Sequence, residues 1–249
     1  MELPGVEPVA DVSVGEWIAP RLGPFGGHVC SVVPDGFQAY ARVLHPAVPQ
    51  TGGHHVRWSE VCGITGRTPH ALMQWDAIAG VVQTTVSRMT TRTSLWPGEP
   101  RTGELEPASL VALLDVLAAF TTATDNCYHA LWDGYGFLPE ARPDVWAGPR
   151  LRHPHRDYLV FRGPLIAALG VGWRPAPDWF LPQAPNIIWP VDQAWCVASE
   201  IDFDSTLVGG SGALIASVLA EPRLEAWSVR PEDDLGHLGD AVNGPARET

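Results

Sequence analysis

Twenty-five glycines and 24 prolines interrupt the 249-residue chain from end to end. Proline ends helices and is excluded from the middle of sheets, and glycine favours turns, so the elements between them are short. Apolar residues still form 45% of the chain, which is enough for a full hydrophobic core at this length. The sequence therefore predicts a loop-rich globular fold of one large domain or two small ones.

Hydrophobic periodicity predicts short strands and helices between these breaks. Apolar residues follow strand-like patterns at 37–45, 127–132, 157–162, 194–203 and 224–229. They recur at helical spacing in a short turn at 58–62 and then at 69–79, 107–120, 164–169 and 212–220. Residues 173–190 are predicted to be a proline-rich loop. Because helices and strands mix without strict alternation, the order favours an α+β fold with a single mixed or mostly antiparallel sheet, packed by two or three main helices.

The composition of the chain divides it into three parts. Residues 1–30 are rich in glycine and proline and predict an irregular N-terminal arm. Residues 31–230 predict a single α+β domain, with a subdivision near 140–150 as the alternative. Residues 231–249 predict an acidic polar tail that frays.

Two of the predicted helices have distinct local patterns. In 69–79, Thr68 is expected to cap the helix, Pro69 to take its first position and Gly80 to end it. In 107–120, apolar residues recur on one face, and this helix is expected to lie at the centre of the core. Its stripe consists of Leu110, Leu113, Leu114, Leu117 and Phe120.

The predicted strand 194–203 ends in a run of acidic residues. Its odd positions are bulky and expected to face the core, whereas its even positions are small at first and then acidic. If the extended conformation continues, Glu200, Asp202 and Asp204 lie on one side, about 7 Å apart. Carboxylates that close repel one another, so they are solvated, share protons or hold a cation. A solvated strand end and a site for a divalent cation such as Mg²⁺ both remain open.

The segment Val-Gly-Gly-Ser at 208–211 predicts a tight glycine turn before the helix 212–220. The hydroxyl of Ser211 is expected to cap that helix, and the free N–H groups at its start suit a phosphate or carboxylate. A plain turn with an N-cap explains the same residues. The candidate ligand or cation site therefore consists of Glu200, Asp202, Asp204, Thr206, Gly209, Gly210 and Ser211.

The hexapeptide Asp-Phe-Asp-Ser-Thr-Leu at 202–207 is similar to the Asp-x-Asp-x-Thr-Leu signature of haloacid-dehalogenase-like phosphohydrolases. In that family the first Asp is the nucleophile, the second is the general acid/base, and Mg²⁺ binds beside them. The family places this strand near the start of a doubly wound domain. Only 45 residues follow Asp204 in this sequence, which is too few for a parallel sheet of five strands. We therefore reject the family and keep the local hypothesis that two carboxylates hold a hard cation.

Another resemblance covers nearly the whole chain. Its segments are 33–46, 57–61, 131–136, 157–164 and 189–211. These segments resemble an uncharacterised family of hypothetical proteins from high-GC bacteria. The resemblance implies a genuine, expressed cytosolic protein, and it implies no particular activity, cofactor or site.

All sixteen basic residues are arginine, and the absence of lysine excludes several classes of enzyme. A Schiff-base or pyridoxal phosphate site, a phosphate-binding Walker loop and a Ser-Lys dyad each require a lysine. The net charge of −12 repels the phosphates of nucleic acids and anionic lipids, so neither is an expected partner. The expected partner is an unidentified protein or small molecule.

Further features of the sequence predict a cytoplasmic protein. The first residues have neither the basic start nor the apolar core of a signal peptide, and no stretch approaches the length of a membrane span. The four cysteines form no Cys-x-x-Cys pair, so a zinc knuckle is not expected. They are Cys30, Cys62, Cys127 and Cys196, and they are expected to be free thiols.

Two functional hypotheses follow from these patterns. The first is a soluble, non-catalytic binding or protein-interaction protein without a cofactor, and it depends on the lack of any catalytic or metal-binding motif of specific spacing. The alternative is a divalent-cation-dependent hydrolase or transferase that acts on a phosphorylated small molecule. In that case Asp202 and Asp204 would hold the cation, and the turn Gly209-Gly210-Ser211 would hold the anion.

Overall fold

A computed structural model describes residues 3–49, 54–86, 89–96, 98–135, 142–244 and 247–248. The strands of the main sheet are β1 (Glu7–Pro8), β2 (Ala39–Leu44), β7 (Cys127–Trp132), β8 (Leu151–Arg152), β9 (Asp157–Gly163), β12 (Ile187–Pro190), β13 (Cys196–Ala198), β14 (Ser205–Gly210) and β15 (Ala226–Val229). The remaining strands are β3 (Ala47–Pro49), β4 (Val82–Val86), β5 (Met89–Thr93), β6 (Gly98–Pro100), β10 (Gly172–Ala176), β11 (Trp179–Pro182) and β16 (Arg247–Glu248).

Within the described ranges the helices are fewer than the strands. The α-helices are α1 (Trp58–Thr65), α2 (Trp75–Ile78), α3 (Pro107–Ala118), α4 (Pro143–Trp146) and α5 (Gly212–Ala220). Four 3₁₀ helices lie at Val12–Gly15, Ala19–Arg21, Val29–Ser31 and Leu165–Gly170. No helix within the described ranges combines the length and the apolar character needed to cross a membrane.

A nine-stranded antiparallel sheet organises the fold. Its strand order is β1-β9-β7-β12-β13-β14-β2-β15, and β8 pairs with the start of β9. Three small sheets accompany it, formed by β10–β11, by β3–β6 and by β4–β5 with β16. The predicted α+β class with a mostly antiparallel sheet is confirmed. Strands from the two halves of the chain are interleaved in the main sheet. The early strand β2 lies between the late strands β14 and β15, and β7 lies between β9 and β12.

The main sheet is buried on both faces. One face packs against α3, α5 and the 3₁₀ helix Leu165–Gly170, through fully buried side chains such as Leu113 and Trp195. The opposite face is covered by the N-terminal segment and its 3₁₀ turns, through Ile18, Val29 and Val33. The irregular arm predicted for residues 1–30 is therefore one of the two layers that cover the sheet.

The prediction of a frayed tail is wrong for the described residues up to 244. Leu235 is buried against the N-terminal layer, and its backbone N–H donates to Gly27. The Asp240 carboxylate is 2% exposed and accepts hydrogen bonds from the backbone N–H groups of Gln74 and Asn243. The acidic side chains of this segment therefore contribute to the packed structure.

The predicted helix 69–79 is also wrong, because only its last turn, Trp75–Ile78, is helical. The buried guanidinium of Arg42 donates to the carbonyl oxygens of Ala71 and Met73, at 3.1 and 2.9 Å. Asp240 accepts from the backbone N–H of Gln74 at 3.2 Å. These backbone groups are used by distant side chains, and tertiary hydrogen bonds have therefore overridden the local helical pattern.

Most of the other predicted elements are present with shifted ends. The helices 107–120 and 212–220 and the strands 37–45, 127–132, 157–162 and 224–229 are confirmed as α3, α5, β2, β7, β9 and β15. The turn at 58–62 is the first part of the longer helix α1, and 164–169 is a 3₁₀ helix. The predicted loop 173–190 is wrong, since it contains the β10–β11 hairpin and the central strand β12. The prolines of this segment led to the prediction of a loop. Pro190, however, lies at the last position of β12, where a sheet tolerates proline.

Candidate functional site

The glycine turn predicted at 208–211 is wrong, because Gly209 and Gly210 are buried and form the last two positions of strand β14. Neither glycine has a positive φ. A Cβ atom on Gly209 would lie 2.5 Å from the Phe37 ring, and one on Gly210 would lie 2.6 Å from Leu214. Close packing therefore explains why positions 209 and 210 hold glycine.

Ser211 caps helix α5 as predicted, since its hydroxyl accepts from the backbone N–H of Leu214 at 3.2 Å. The N–H of Gly212 donates to the side chain of Gln38 at 3.1 Å. At least two of the amide groups at this helix start therefore already have partners within the protein.

The predicted strand 194–203 is shorter than expected, because only Cys196–Ala198 pairs as β13. Both of its faces are buried: Trp195 and Val197 contact the helical layer, whereas Cys196 and Ala198 contact the N-terminal layer. The chain then turns, and the N–H of Phe203 donates to the carbonyl of Glu200. The three acidic residues therefore do not continue one extended strand.

The turn sends the three carboxylates to two different arginines. Glu200 and Asp202 both bind one terminal nitrogen of Arg156, at 2.8 and 3.1 Å. Asp204 lies 3.4 Å from Arg42, whose side chain is 1% exposed. Burial raises the pKa of Asp204, and the neighbouring Arg42 opposes that rise. Glu200, Asp202 and Asp204 thus each have an arginine as a positively charged partner.

Glu200 also lines a pocket at one end of the main sheet, which we call the Arg156 pocket. It is a small cavity of about 30 Å³ that is partly open to solvent. Its floor comes from the ends of β12 and β13, and its walls come from the N-terminal layer and from the turn before β9. Its lining includes the side chains of Phe25, His153, Arg156, Tyr158, Ser199 and Glu200.

Several polar atoms around the Arg156 pocket have no partner among the described residues. The Nε atom of Arg156 and the Nε2 atom of His153 are buried and make no hydrogen bond there. Tyr158 lines the same pocket, and burial raises the pKa of its phenol. Other buried nitrogens without partners occur at six tryptophans and at His129, but none of those residues lines this pocket. Buried polar groups are normally satisfied, so two in one pocket favour a ligand or ordered water.

A buried hydrogen-bond chain runs from the Arg156 pocket into the core. The hydroxyl of Ser199 lies 2.7 Å from that of Thr206, and Thr206 lies 2.8 Å from Nε2 of His45. Nδ1 of His45 lies 2.7 Å from the backbone oxygen of Arg101. Thr206, a predicted site residue, is therefore not exposed to a ligand, but it contacts a residue that lines the pocket.

Asn186 holds the floor of the pocket in place. Its side-chain oxygen accepts from the backbone N–H of Trp132 at 2.8 Å, and its side-chain nitrogen donates to the Tyr135 hydroxyl at 3.1 Å. Its backbone oxygen accepts from the N–H of Ser199 at 2.7 Å. These bonds connect β7, β12 and the end of β13, so the position of Ser199 is fixed by the sheet.

Of the site residues predicted from the sequence, Glu200 alone lines the pocket. A His-Pro-His-Arg sequence at 153–156 precedes β9, and its residue types suggest a polar site. The rings of His153 and His155 separate, however, to pack against Tyr158 and Phe25, at centroid distances of 5.1 and 4.3 Å. Within the described ranges, no group of three or more His, Cys, Asp or Glu residues is arranged to hold a metal ion.

Comparisons with protein-family models, with curated proteins and with solved structures find no match to this chain. The family resemblance drawn from the sequence therefore stays a prediction.

Proposed function

We propose that this protein binds a small molecule in the Arg156 pocket and carries out no chemistry on it. The observation that carries the proposal is that buried polar atoms of Arg156 and His153, without a partner among the described residues, line one pocket that is partly open to solvent. Ligand pockets combine an apolar lining with a few convergent polar groups, and this one does so. Its apolar lining includes Leu22, Val32, Ile187 and Ala198.

The nucleophile available in the pocket is poorly suited to catalysis. Activation of Ser199 would require its proton to pass through Thr206 to His45. Burial lowers the pKa of His45 to about 4, so at neutral pH its ring is a weak base and a charge on it would be costly. His45 is therefore poorly suited to activate Ser199, which favours a binding role for Ser199.

The cation-dependent hydrolase or transferase is the less supported alternative. It would require Asp202 and Asp204 to share one ion, whereas each already has an arginine partner. Thermal melts with millimolar Mg²⁺ or Mn²⁺ at constant ionic strength test it. A rise in melting temperature that is lost in the double variant Asp202→Asn, Asp204→Asn would favour the alternative over our proposal.

The binding proposal itself is tested by a ligand-observed NMR screen of small metabolites. His155 is exposed and lines the pocket, so His155→Trp is expected to narrow the mouth while it keeps an aromatic ring beside Phe25. The matched control is His54→Trp, which changes an exposed histidine outside the pocket lining. Compounds that bind the native protein and the control but not His155→Trp would support the proposal.

Two results would contradict this proposed function. If no compound binds, or if binding is equal in His155→Trp and the native protein, the Arg156 pocket is not the ligand site. If bound compounds are recovered chemically changed after incubation, as measured by mass spectrometry, the protein is an enzyme. Recovery of unchanged compound is the expected result.

A further inference from the structure

The β8–β9 hairpin places the two unpartnered polar atoms of the Arg156 pocket side by side. Arg152 pairs with Asp157 at the end of the ladder. His153 and Arg156 form the next opposite pair, and the N–H of His153 donates to the carbonyl of Arg156 at 3.0 Å. Opposite residues of an antiparallel hairpin lie on the same face, with their Cβ atoms about 5 Å apart. The buried Nε of Arg156 and Nε2 of His153 therefore belong to one part of the pocket lining.

The guanidinium of Arg156 presents a hydrogen-bond donor to the pocket. Its Nε and Nη2 hydrogens point along the same edge, and Glu200 accepts from Nη2 at 2.8 Å. Nε is buried and has no acceptor among the described residues. An acceptor bound at Nε would therefore lie beside the Glu200 carboxylate, which repels a second anion. This position suits an uncharged oxygen atom.

The ion pair in the lining of the pocket is neutral. Glu200 and Arg156 both line the pocket, and their charges cancel. Asp202, the second carboxylate on Arg156, is 73% exposed and lies outside the lining. Burial lowers the pKa of His153 to about 4, so this ring is uncharged at neutral pH. The ion pair and His153 therefore favour neither a cation nor an anion by net charge.

Ser199 presents an acceptor to the same pocket, because the hydrogens of its chain run inward. The carbonyl oxygen of Arg101 can only accept, so Nδ1 of His45 carries the hydrogen between them. Burial lowers the pKa of His45 to about 4, which leaves Nε2 as an acceptor at neutral pH. Thr206 therefore donates its hydrogen to Nε2, and Ser199 donates its hydrogen to Thr206. The Ser199 oxygen keeps only lone pairs for a group in the pocket.

The volume of the pocket limits what enters it. About 30 Å³ is room for two water molecules, at roughly 10–15 Å³ for each. An aromatic ring is too large for this space. A carboxamide group fits it, because its oxygen and its nitrogen take the places of the two waters. Its oxygen accepts hydrogen bonds, its nitrogen donates them, and the group carries no charge.

We infer that the Arg156 pocket receives an uncharged carboxamide end group, whose oxygen accepts from Nε of Arg156 and whose nitrogen donates to Ser199. An ammonium group has no lone pair for the Arg156 donor. A carboxylate has no hydrogen for Ser199, and Glu200 repels it. This inference rests on the binding function proposed above, and it adds the chemical class of the group that is bound.

Three compounds with the same number of heavy atoms test the inference: acetamide, acetate and isopropylamine. They are titrated at pH 7, where acetate and isopropylamine are charged, and the side-chain Nε–H signal of Arg156 is followed in proton–nitrogen NMR spectra. Acetamide is expected to shift this signal with a millimolar Kd, because so small a ligand makes few contacts. It should bind about tenfold more tightly than either charged compound, since each of those leaves a buried polar atom without a partner.

Two variants connect this preference to particular side chains, and their backbone N–H signals report binding. Arg156→Lys keeps a positive partner for Glu200 and removes the donor at Nε, so acetamide should bind about tenfold more weakly. Its control is Arg152→Lys, the same change at an exposed residue outside the pocket lining. Ser199→Ala removes the acceptor and should weaken acetamide binding by about fivefold. Its control is Ser228→Ala at an exposed position of β15.

Each outcome separates the inference from the proposed function. Tighter binding of acetate or of isopropylamine, abolished in His155→Trp, would overturn the inference and leave the binding function standing. Failure of all three compounds to bind would also overturn it, and the metabolite screen would then decide the binding function separately. Equal binding of acetamide to Arg156→Lys and to the native protein would place acetamide elsewhere and overturn the inference too. Should Arg156→Lys unfold, the Ser199→Ala variant and the comparison of the three compounds in the native protein decide the inference.

Discussion

Two buried histidines predict that this protein loses stability in mild acid. The side chains of His45 and His129 are each 1% exposed, and burial lowers the pKa of both to about 4. The unfolded chain has an ordinary histidine pKa of about 6.5, so below that pH it binds protons that the folded protein does not. The stability that these two neutral rings contribute is therefore complete above about pH 6.5 and is lost as the pH falls from there toward 4.

The size of the loss follows from the two pKa values. At pH 5, proton linkage gives about 2 kcal/mol for each histidine, or about 4 kcal/mol for the pair. This is a large part of the roughly 5–15 kcal/mol that stabilises a folded domain. Urea unfolding at pH 7 and at pH 5 measures the net change, to which His153, whose pKa burial also lowers to about 4, contributes as well.

A variant isolates the contribution of one histidine. His129→Gln removes one titrating ring, so its loss of unfolding free energy between pH 7 and pH 5 should be smaller by about 2 kcal/mol. His54→Gln replaces an exposed histidine and should show the same loss as the native protein. An equal pH dependence in all three proteins would refute the reasoning, because it would mean that His129 takes up its proton without opposing the fold.

Leu113→Ala should lower the free energy of unfolding by about 2–5 kcal/mol in urea melts, because this side chain is fully buried. A loss below about 0.5 kcal/mol would show that α3 is peripheral to the core. Gly209→Ala should lower the free energy of unfolding by about 1–3 kcal/mol, because its Cβ would lie 2.5 Å from the Phe37 ring. The control Gly212→Ala, whose Cβ would have no atom nearer than 4.0 Å, should change the free energy of unfolding by less than about 0.5 kcal/mol. Equal losses in the two variants would contradict the packing explanation. A thiol reagent should modify Cys30 quickly in the native protein and all four thiols after denaturation. Cys62, Cys127 and Cys196 are buried, and burial raises the pKa of these three thiols, so they should react slowly in the native protein. Fast reaction of all four thiols in the native protein would disprove this prediction.

The sequence predicted elements whose signals are local. Helix α3 has an apolar stripe along its length, and the side chain of Glu106 caps it by accepting from the N–H groups of Ala108 and Ser109. The helix at 69–79 failed because the partners of its backbone, Arg42 and Asp240, lie far away in the sequence. No pattern within 69–79 encodes those bonds.

The candidate site was predicted only in part for the same reason. The acidic residues at 200–204 stand out in the sequence, but their partners Arg156 and Arg42 are 44 and 162 residues away. The pocket exists because β7 and β12 lie between β9 and β13 in the sheet. Its polar groups therefore meet through the topology of the sheet, which short-range periodicity does not determine.

The position of β2 between β14 and β15 has a consequence for folding during synthesis. Strand β2 ends at Leu44, and its first partner in the chain, Ser205–Gly210, is made about 160 residues later. Pairing across so long a loop is slow, because the entropy of closing the loop is lost before the contacts form. A nascent chain that stops before β14 leaves β2 without either of its two strand partners. We expect such chains to associate through this apolar strand, so that holdase chaperones bind intermediates of the ribosome-bound protein until its last strand emerges.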